Sequence, residues 1–341
     1  MNYNKGLSKI DVIRGIINNR SFVIKEQSSM CFAPINIALI KYWGKKDDEL
    51  NLAMSPSLSI SSQRLGTWTQ VLKSNQDEMV LNDKINQDNE CHRAFDFVNL
   101  LRKVLGIDVK LKIITKNNIP ISSGLASSAS GFACLSKALN DLLNLNLSQQ
   151  ELSMLARFGS GSACRSVLDN CRFVIWNGDF AEPCVFNAVM KRIVDNMQIL
   201  VLIVDEGVKQ ISSREAMRLT IDAWRAGRNI VYNYWLQQTN DDFNKIFLAK
   251  NWPEFGSIVE RNALIMHKAI RASGINYFTQ NTMEVIKFVK QCRENNLMVY
   301  LTIDAGANVK ILYQRQDYEF LKNKVQHYLI DNGMCLKALD F

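Results

Sequence analysis

A chain of 341 residues, 47% hydrophobic with only 16 Gly and 5 Pro, is too long for one small core. It reads as about two packed globular domains and excludes a fibrous or disordered polymer. The formal charge of +8 is scattered without a run of five Lys or Arg, which argues against a nucleic-acid partner and suits anionic small molecules.

Residues 1–28 read as an N-terminal extension, polar throughout and without the apolar stretch of a signal peptide, in which 11–18 could form a short helix. Strands are expected at 32–41, 57–61 and 67–72, then a polar loop over 82–89 leading into a helix at 93–105 whose apolar residues recur at three and four. A strand at 109–115 ends in the turn signal Asn117-Asn-Ile-Pro120, and an Ala- and Leu-rich helix follows at 126–142. Ser148 with Glu151 has the capping-box spacing of a further helix start, and 173–176 returns to strand character.

A domain junction is expected near 191–196, giving an N-terminal domain over 29–194 and a C-terminal domain over 195–341. Beyond it come a strand at 199–204, helices at 213–237, 252–273 and 283–295, strands at 298–303 and 309–313, and a last helix near 316–330. The longest apolar runs are strand length, far short of a membrane span. Eight cysteines lack a Cys-x-x-Cys pair, and His92, His267 and His327 assemble no zinc site at standard spacings. Reduced thiols, a cytoplasmic location and no membrane partner are the expectations.

Four segments could carry chemistry. Pro120-Ile-Ser-Ser-Gly-Leu-Ala-Ser-Ser-Ala-Ser-Gly131 opens onto a helix, whose free N–H groups and dipole attract anions; Gly124 permits close backbone approach, and Ser127 and Ser128 add hydroxyls. It is neither a Walker loop nor a Gly-x-Gly-x-x-Gly turn, and close packing of a small-residue helix is the competing explanation. Lys41-Tyr42-Trp43-Gly44-Lys45 leaves an apolar strand with two cations able to neutralise phosphate or carboxylate, although loop lysines are commonly just solvated. Gly159-Ser-Gly-Ser-Ala-Cys-Arg165 offers two hydroxyls and a planar guanidinium after flexible glycines, or is an ordinary glycine loop. Asp304, at a strand end before Ala305-Gly306, is placed as a catalytic carboxylate or as a turn cap.

Together, in this order, the segments resemble the galactokinase, homoserine kinase, mevalonate kinase and phosphomevalonate kinase superfamily, and within it most closely the mevalonate diphosphate decarboxylases. The resemblance rests on Ala33-Pro-Ile-Asn-Ile-Ala-Leu-Ile-Lys-Tyr-Trp-Gly-Lys45, Gly124-Leu-Ala-Ser-Ser-Ala129, Gly159-Ser-Gly-Ser-Ala-Cys-Arg-Ser166 and Asp304-Ala-Gly-Ala-Asn308. It implies a two-domain α+β fold, with an N-terminal domain like domain 2 of ribosomal protein S5 and a ferredoxin-like C-terminal domain, the active site lying in the cleft between them. It also implies ATP as co-substrate, Mg2+, a homodimer, and mevalonate 5-diphosphate as the small-molecule substrate. The implied reaction phosphorylates the 3-hydroxyl and then releases CO2 and phosphate to give isopentenyl diphosphate.

By the same resemblance Asp304 orients the hydroxyl, Lys41 holds that carboxylate ionised, and Arg165 pairs with the substrate carboxylate. Tyr42, Lys45, Ser160, Ser162, Ser213, Met217 and Ala305 line the substrate. Ser123, Gly124, Leu125, Ala126, Ser127 and Ser128 cradle ATP, with Ser128 as a candidate magnesium ligand. The chain departs from the family at Ala307, where a Pro is usual, at Ser55-Pro56-Ser57 and at Ala216. These affect substrate fit before chemistry. The alternatives are a phosphomevalonate decarboxylase, a mevalonate 3-kinase of the same fold, and a non-catalytic binding relative.

Overall fold

The computed structural model describes residues 6–18, 20, 22–24, 28–119, 127–205, 207, 209–331 and 337–341. The chain begins with α1 (Lys9–Ile17), then β1 (Ser28–Ile40), the small hairpin β2 (Lys45–Asp47) and β3 (Leu52–Ala53), β4 (Ser57–Lys73), β5 (Glu78–Leu81) and β6 (Lys84–Ile85). The half is completed by α2 (Asn89–Leu105), β7 (Leu111–Asn117), α3 (Ser127–Leu142), α4 (Gln149–Gly159), α5 (Ala163–Ser166), β8 (Phe173–Trp176), β9 (Ala181–Pro183) and α6 (Ala188–Asp195). Among the described residues its sheet runs β6-β5-β7-β4-β8-β9, with β1 also paired to β4; only β5 and β7 are parallel neighbours.

The second half comprises β10 (Met197–Ile203), α7 (Ser213–Arg225), α8 (Ile230–Ile246), α9 (Trp252–Arg271), α10 (Gln280–Glu294), β11 (Tyr300–Ile303), β12 (Val309–Gln314), α11 (Tyr318–Asp331) and β13 (Lys337–Asp340). Its antiparallel sheet has the order β11-β12-β10-β13. The molecule is a two-domain α+β protein.

Strand β1 is packed by both halves. It pairs along β4 from Ser28↔Leu72 to Ile40↔Leu58, with α3 packed against it in the first half and α9 reaching it from the second. Burial from both sides explains why its inner half is almost entirely apolar. Ile35, Ile37 and Leu39 share one cluster with Ile199, Val201 and Leu312 of the second sheet and Phe255 and Val259 of α9. Register shifts fall between Pro34 and Asn36, where proline has no N–H to donate, and between Ala38 and Ile40. At the second shift the Ala38 carbonyl accepts from Lys41 Nζ (2.8 Å) and from Thr302 Oγ1 on β11 (3.3 Å), so one bulge ties both halves together.

Several expectations need correction. The strands expected at 57–61 and 67–72 are one, β4. The polar stretch between them looks like a break in sequence, but Ser62 Oγ accepts from the Arg64 and Leu65 N–H groups and Asn118 brackets Gly66 and Arg64, which holds the chain in the sheet. The helix expected at 213–237 is two, separated at Gly227 (φ +72°) and restarted by Asn229, whose side chain caps Tyr232 N–H at 3.0 Å. Helix α6 lies in the region read only as a junction. Near the start of the chain, α1 buries Val12, Ile13, Ile16 and Ile17 against the first core, and Arg20 clasps Glu151 at 2.9 and 3.0 Å. That segment is thus fastened to the domain it precedes.

Candidate active site

The site lies where β1 and β11 end side by side. Lys41 follows β1, its backbone N–H donating to Asn262 Oδ1 of α9 (2.8 Å) and its ammonium to Asp304 Oδ1 (2.6 Å). Asp304 opens the turn after β11. That turn is pinned by Asn308 Oδ1, which accepts from Val204 N–H (2.8 Å) and Asp205 N–H (3.0 Å), and by Thr282 Oγ1, which donates to the Ala307 carbonyl (2.9 Å). Ala307 therefore leaves the loop well held without the proline usual there.

A second buried ammonium, Lys310 Nζ on β12, stands 3.2 Å from Asp304 Oδ2. Burial alone would raise the Asp304 carboxyl, but Lys41 and Lys310 outweigh it and hold the group well below the ordinary carboxylate range. Burial likewise pulls Lys41 down to about 8, against the opposing pull of the Asp304 charge. Behind them His267 Nε2 lies 3.3 Å from the Ile303 carbonyl, and burial lowers its pKa to about 3, so it is a neutral buttress.

Arg165 is carried by α5 and is buried. Its Nη1 donates to Ser57 Oγ (2.7 Å) and its guanidinium stands 6.0 Å from the Trp176 ring, yet no carboxylate lies within 4 Å among the described residues and Nε has no partner there. Burial lowers its proton affinity. A desolvated cation so sparsely compensated is a receptor for an anion.

Around it are Tyr42, edge-on to Trp176 at 4.8 Å, and the turn carrying Ser160 and Ser162, whose hydroxyls lie 3.5 Å apart. Ser162 precedes α5 without capping it through its side chain, so its hydroxyl meets the Ser160 hydroxyl and not the helix. Gly161 allows the approach, because a Cβ there would sit 3.0 Å from Tyr42 Oη. The neighbouring Gly159 carbonyl accepts from Arg93 (3.3 Å) and Arg214 (3.4 Å), and Lys45 is held down first by burial and then by Arg214. Two arginines thus meet one serine turn, and Lys45, 3.6 Å from Asp48, feels the charge of Arg214. Arg93 and Arg214 were not singled out from the sequence. Arg214 adjoins Ser213 and could have been found, whereas Arg93 carries no local signal.

Ser213 begins α7, capped by Ser212, and Met217 and Ala305 share one apolar cluster with Trp43 on this side of the cleft. Ser127 and Ser128 start α3, exposed, and line a cleft of about 100 Å³ with Met79, Leu81, Arg93 and Phe132. Ser123, Gly124, Leu125 and Ala126 lie outside the described residues. Among the described residues no group of three His, Cys, Asp or Glu could hold a metal ion, and no helix is long and apolar enough to cross a membrane.

Residues 33–184 match the family model described as the diphosphomevalonate decarboxylase-like N-terminal domain, and 199–338 match the mevalonate 5-diphosphate decarboxylase C-terminal domain. The diphosphomevalonate decarboxylase of Debaryomyces hansenii is 30% identical over 321 residues, 85% of this chain and 80% of its own. The mevalonate diphosphate decarboxylase of Staphylococcus aureus superposes with a TM-score of 0.82 at 32% identity, over 92% of this chain and 95% of its own. A chain named MDDEF, solved in complex with MVAPP, AMPPCP and magnesium, gives 0.81 at 32% identity over 92% and 96%. With both halves of the chain matched and the same two-domain fold recovered, the chain belongs to the diphosphomevalonate decarboxylase family.

Proposed function

We propose that this chain catalyses the ATP-dependent decarboxylation of mevalonate 5-diphosphate, forming isopentenyl diphosphate, ADP, phosphate and CO2 through phosphorylation of the 3-hydroxyl. The observation that carries the reading is the pair of buried Lys41 with partly exposed Asp304, together with a buried Arg165 that lacks a carboxylate among the described residues. Asp304, held ionised, accepts a hydrogen bond from the 3-hydroxyl and aims its oxygen at the incoming phosphoryl group; as the O–P bond forms and the bond to ADP breaks, the hydroxyl proton passes to an oxygen of the transferred phosphoryl group. Lys41 steadies the negative charge that develops on that oxygen. Arg165 pairs with the C1 carboxylate and fixes the C1–C2 bond against the departing 3-phosphate. The C1–C2 electrons then form the C2–C3 double bond, the C3–O bond breaks, and CO2 and phosphate leave.

Tyr42, Lys45, Ser160, Ser162, Arg93 and Arg214 form the pocket for the diphosphate tail, with Ser213, Met217 and Ala305 along the carbon skeleton. Two arginines at one turn, with Lys45 coupled to Arg214, suit two phosphates better than one, which favours the diphosphate over the monophosphate substrate. The cleft at the head of α3 suits the nucleoside of ATP, with Ser123, Gly124, Leu125, Ala126, Ser127 and Ser128 around its phosphates. Ser128, exposed at the start of α3, would be the residue to hold the magnesium that accompanies ATP. Bound MgATP supplies the phosphoryl group and neutralises its charge. In this reading residues 29–194 form the nucleotide domain and 195–341 the domain that delivers Asp304, in a cytoplasmic homodimer.

Release of ADP and CO2 from mevalonate, its 5-phosphate and its 5-diphosphate tests the assignment. Both products are expected from the diphosphate. ADP without CO2 would make the chain a kinase, and a preference for the monophosphate would reassign the substrate.

A further inference from the structure

Each oxygen of the Asp304 carboxylate faces a different lysine. Lys41 reaches Oδ1 from the end of β1, and Lys310 reaches Oδ2 at 3.2 Å from the interior of β12. Lys310 is buried at 1% exposure, paired in the sheet with Val201 on one side and Thr302 on the other, and it also donates to the Asn308 carbonyl at 3.2 Å. Among the described residues Asp304 is the sole carboxylate within 4 Å of it. A lysine walled into a sheet is costly without a counter-charge, so its placement needs a reason.

Resting on the proposed function above, we propose that Lys310 is a positioning residue for the reaction: it grips Oδ2, fixes the plane of the Asp304 carboxylate, and leaves the carboxylate ionised with Oδ1 directed at the substrate hydroxyl. Lys310 stands behind Asp304 in the wall of the second sheet, so its effect passes through the carboxylate. With an ammonium on each oxygen, Asp304 is an orienting hydrogen-bond acceptor and a weak proton store. The other charged or titratable groups facing it are Arg165 from α5, Lys209 from the segment after β10, and neutral His267 from α9. Lys209 lies across Gly306, its Cε 3.1 Å from where a Cβ would stand. None of these three forms an ion pair with Asp304 within 4 Å, so Lys41 and Lys310 dominate its electrostatics.

The test compares Lys310→Met and Lys310→Arg with wild type in kcat, KM and pH profile on mevalonate diphosphate, together with the 13C carboxyl signal of Asp304. Lys310→Met is expected to lower kcat on the order of 10- to 100-fold. It should change the KM for mevalonate diphosphate by no more than about threefold, since the lysine does not touch substrate. The acid limb of kcat should move to higher pH, as should the Asp304 carboxyl titration, and Lys310→Arg should restore both. Wild-type kcat with an unshifted acid limb in Lys310→Met would overturn the assignment, as would a large KM change alone. If Lys310→Met does not fold, the 15N ammonium signals decide: Asp304→Asn must shift both Lys41 and Lys310, and a shift of Lys41 alone overturns it. The spectra need no substrate, so a wild-type chain that releases no CO2 would sink the proposed function and leave this assignment to be judged by the spectra.

Discussion

Lys41 and Asp304 are bonded at 2.6 Å, and protonation at either end changes both stability and chemistry. Burial lowers Lys41 to about 8, below its value in the unfolded chain, so the unfolded state binds more protons between about pH 8 and 10.5. The sign follows: Lys41 costs the fold stability below pH 8, and that cost is relieved as pH rises. The stability of wild type relative to Lys41→Met should therefore improve from pH 8 to 10, read by urea unfolding at each pH. Over the same interval kcat should fall, because the neutral amine no longer steadies charge at the 3-oxygen. A stability difference independent of pH would contradict this. Arg165 gives a parallel case. Its buried guanidinium has one donor bond to Ser57 and none to a carboxylate among the described residues, so Arg165→Met should raise Tm while lowering kcat/KM on the order of 100-fold or more. A lower Tm in that variant would show that the guanidinium is structurally satisfied.

At Gly44, Gly66, Gly159 and Gly256 elements approach so closely that side chains occupy the missing Cβ positions, and Gly159 and Gly256 allow a matched comparison. At Gly159, closing α4, the space is taken by the Phe132 ring of α3, over which the Arg93 guanidinium lies at 5.1 Å. At Gly256, in α9, it is taken by the Tyr300 ring of β11, in the core between helix and sheet. Alanine at either position should destabilise by about 1–3 kcal/mol through overpacking. Only Gly159→Ala should also raise KM for both substrates, since Phe132 lines the α3 cleft and Arg93 leans on the serine turn. Equal KM effects from the two variants would break the link between this packing and the site.

Much of the element plan was legible because its signals are local. The Ser148–Glu151 capping box sets the start of α4, and the apolar run at Phe173–Trp176 is β8 to the residue. What failed had mixed causes: the break of 213–237 at Gly227 and Asn229 is local, while the continuity of β4 depends on a distant partner. The polar residues inside β4 are held by Asn118, more than fifty positions away, and α6 was hidden by its charged surface residues. The site divides the same way. Lys41, Arg165 and Asp304 stand in motifs, and the fold brings Lys41 and Asp304 into contact. Lys310 and Arg93 belong to none, and only the folded sheet and the α2–α4 contact reveal them.

At the scale of the whole molecule, β1 is packed between the halves, so that its bulge at Ala38 receives Lys41 from one half and Thr302 from the other. The candidate site is therefore assembled by domain packing: the first half brings Lys41, Arg165 and the serine turn, and the second brings Asp304 and Lys310. The direct measurement is the ratio of CO2 to ADP released from mevalonate 5-diphosphate labelled at C1, for wild type and Asp304→Asn. The account predicts one CO2 per ADP in wild type and loss of both products by at least about 1,000-fold in the variant. ADP formed without CO2, or an Asp304→Asn variant as active as wild type, would contradict it.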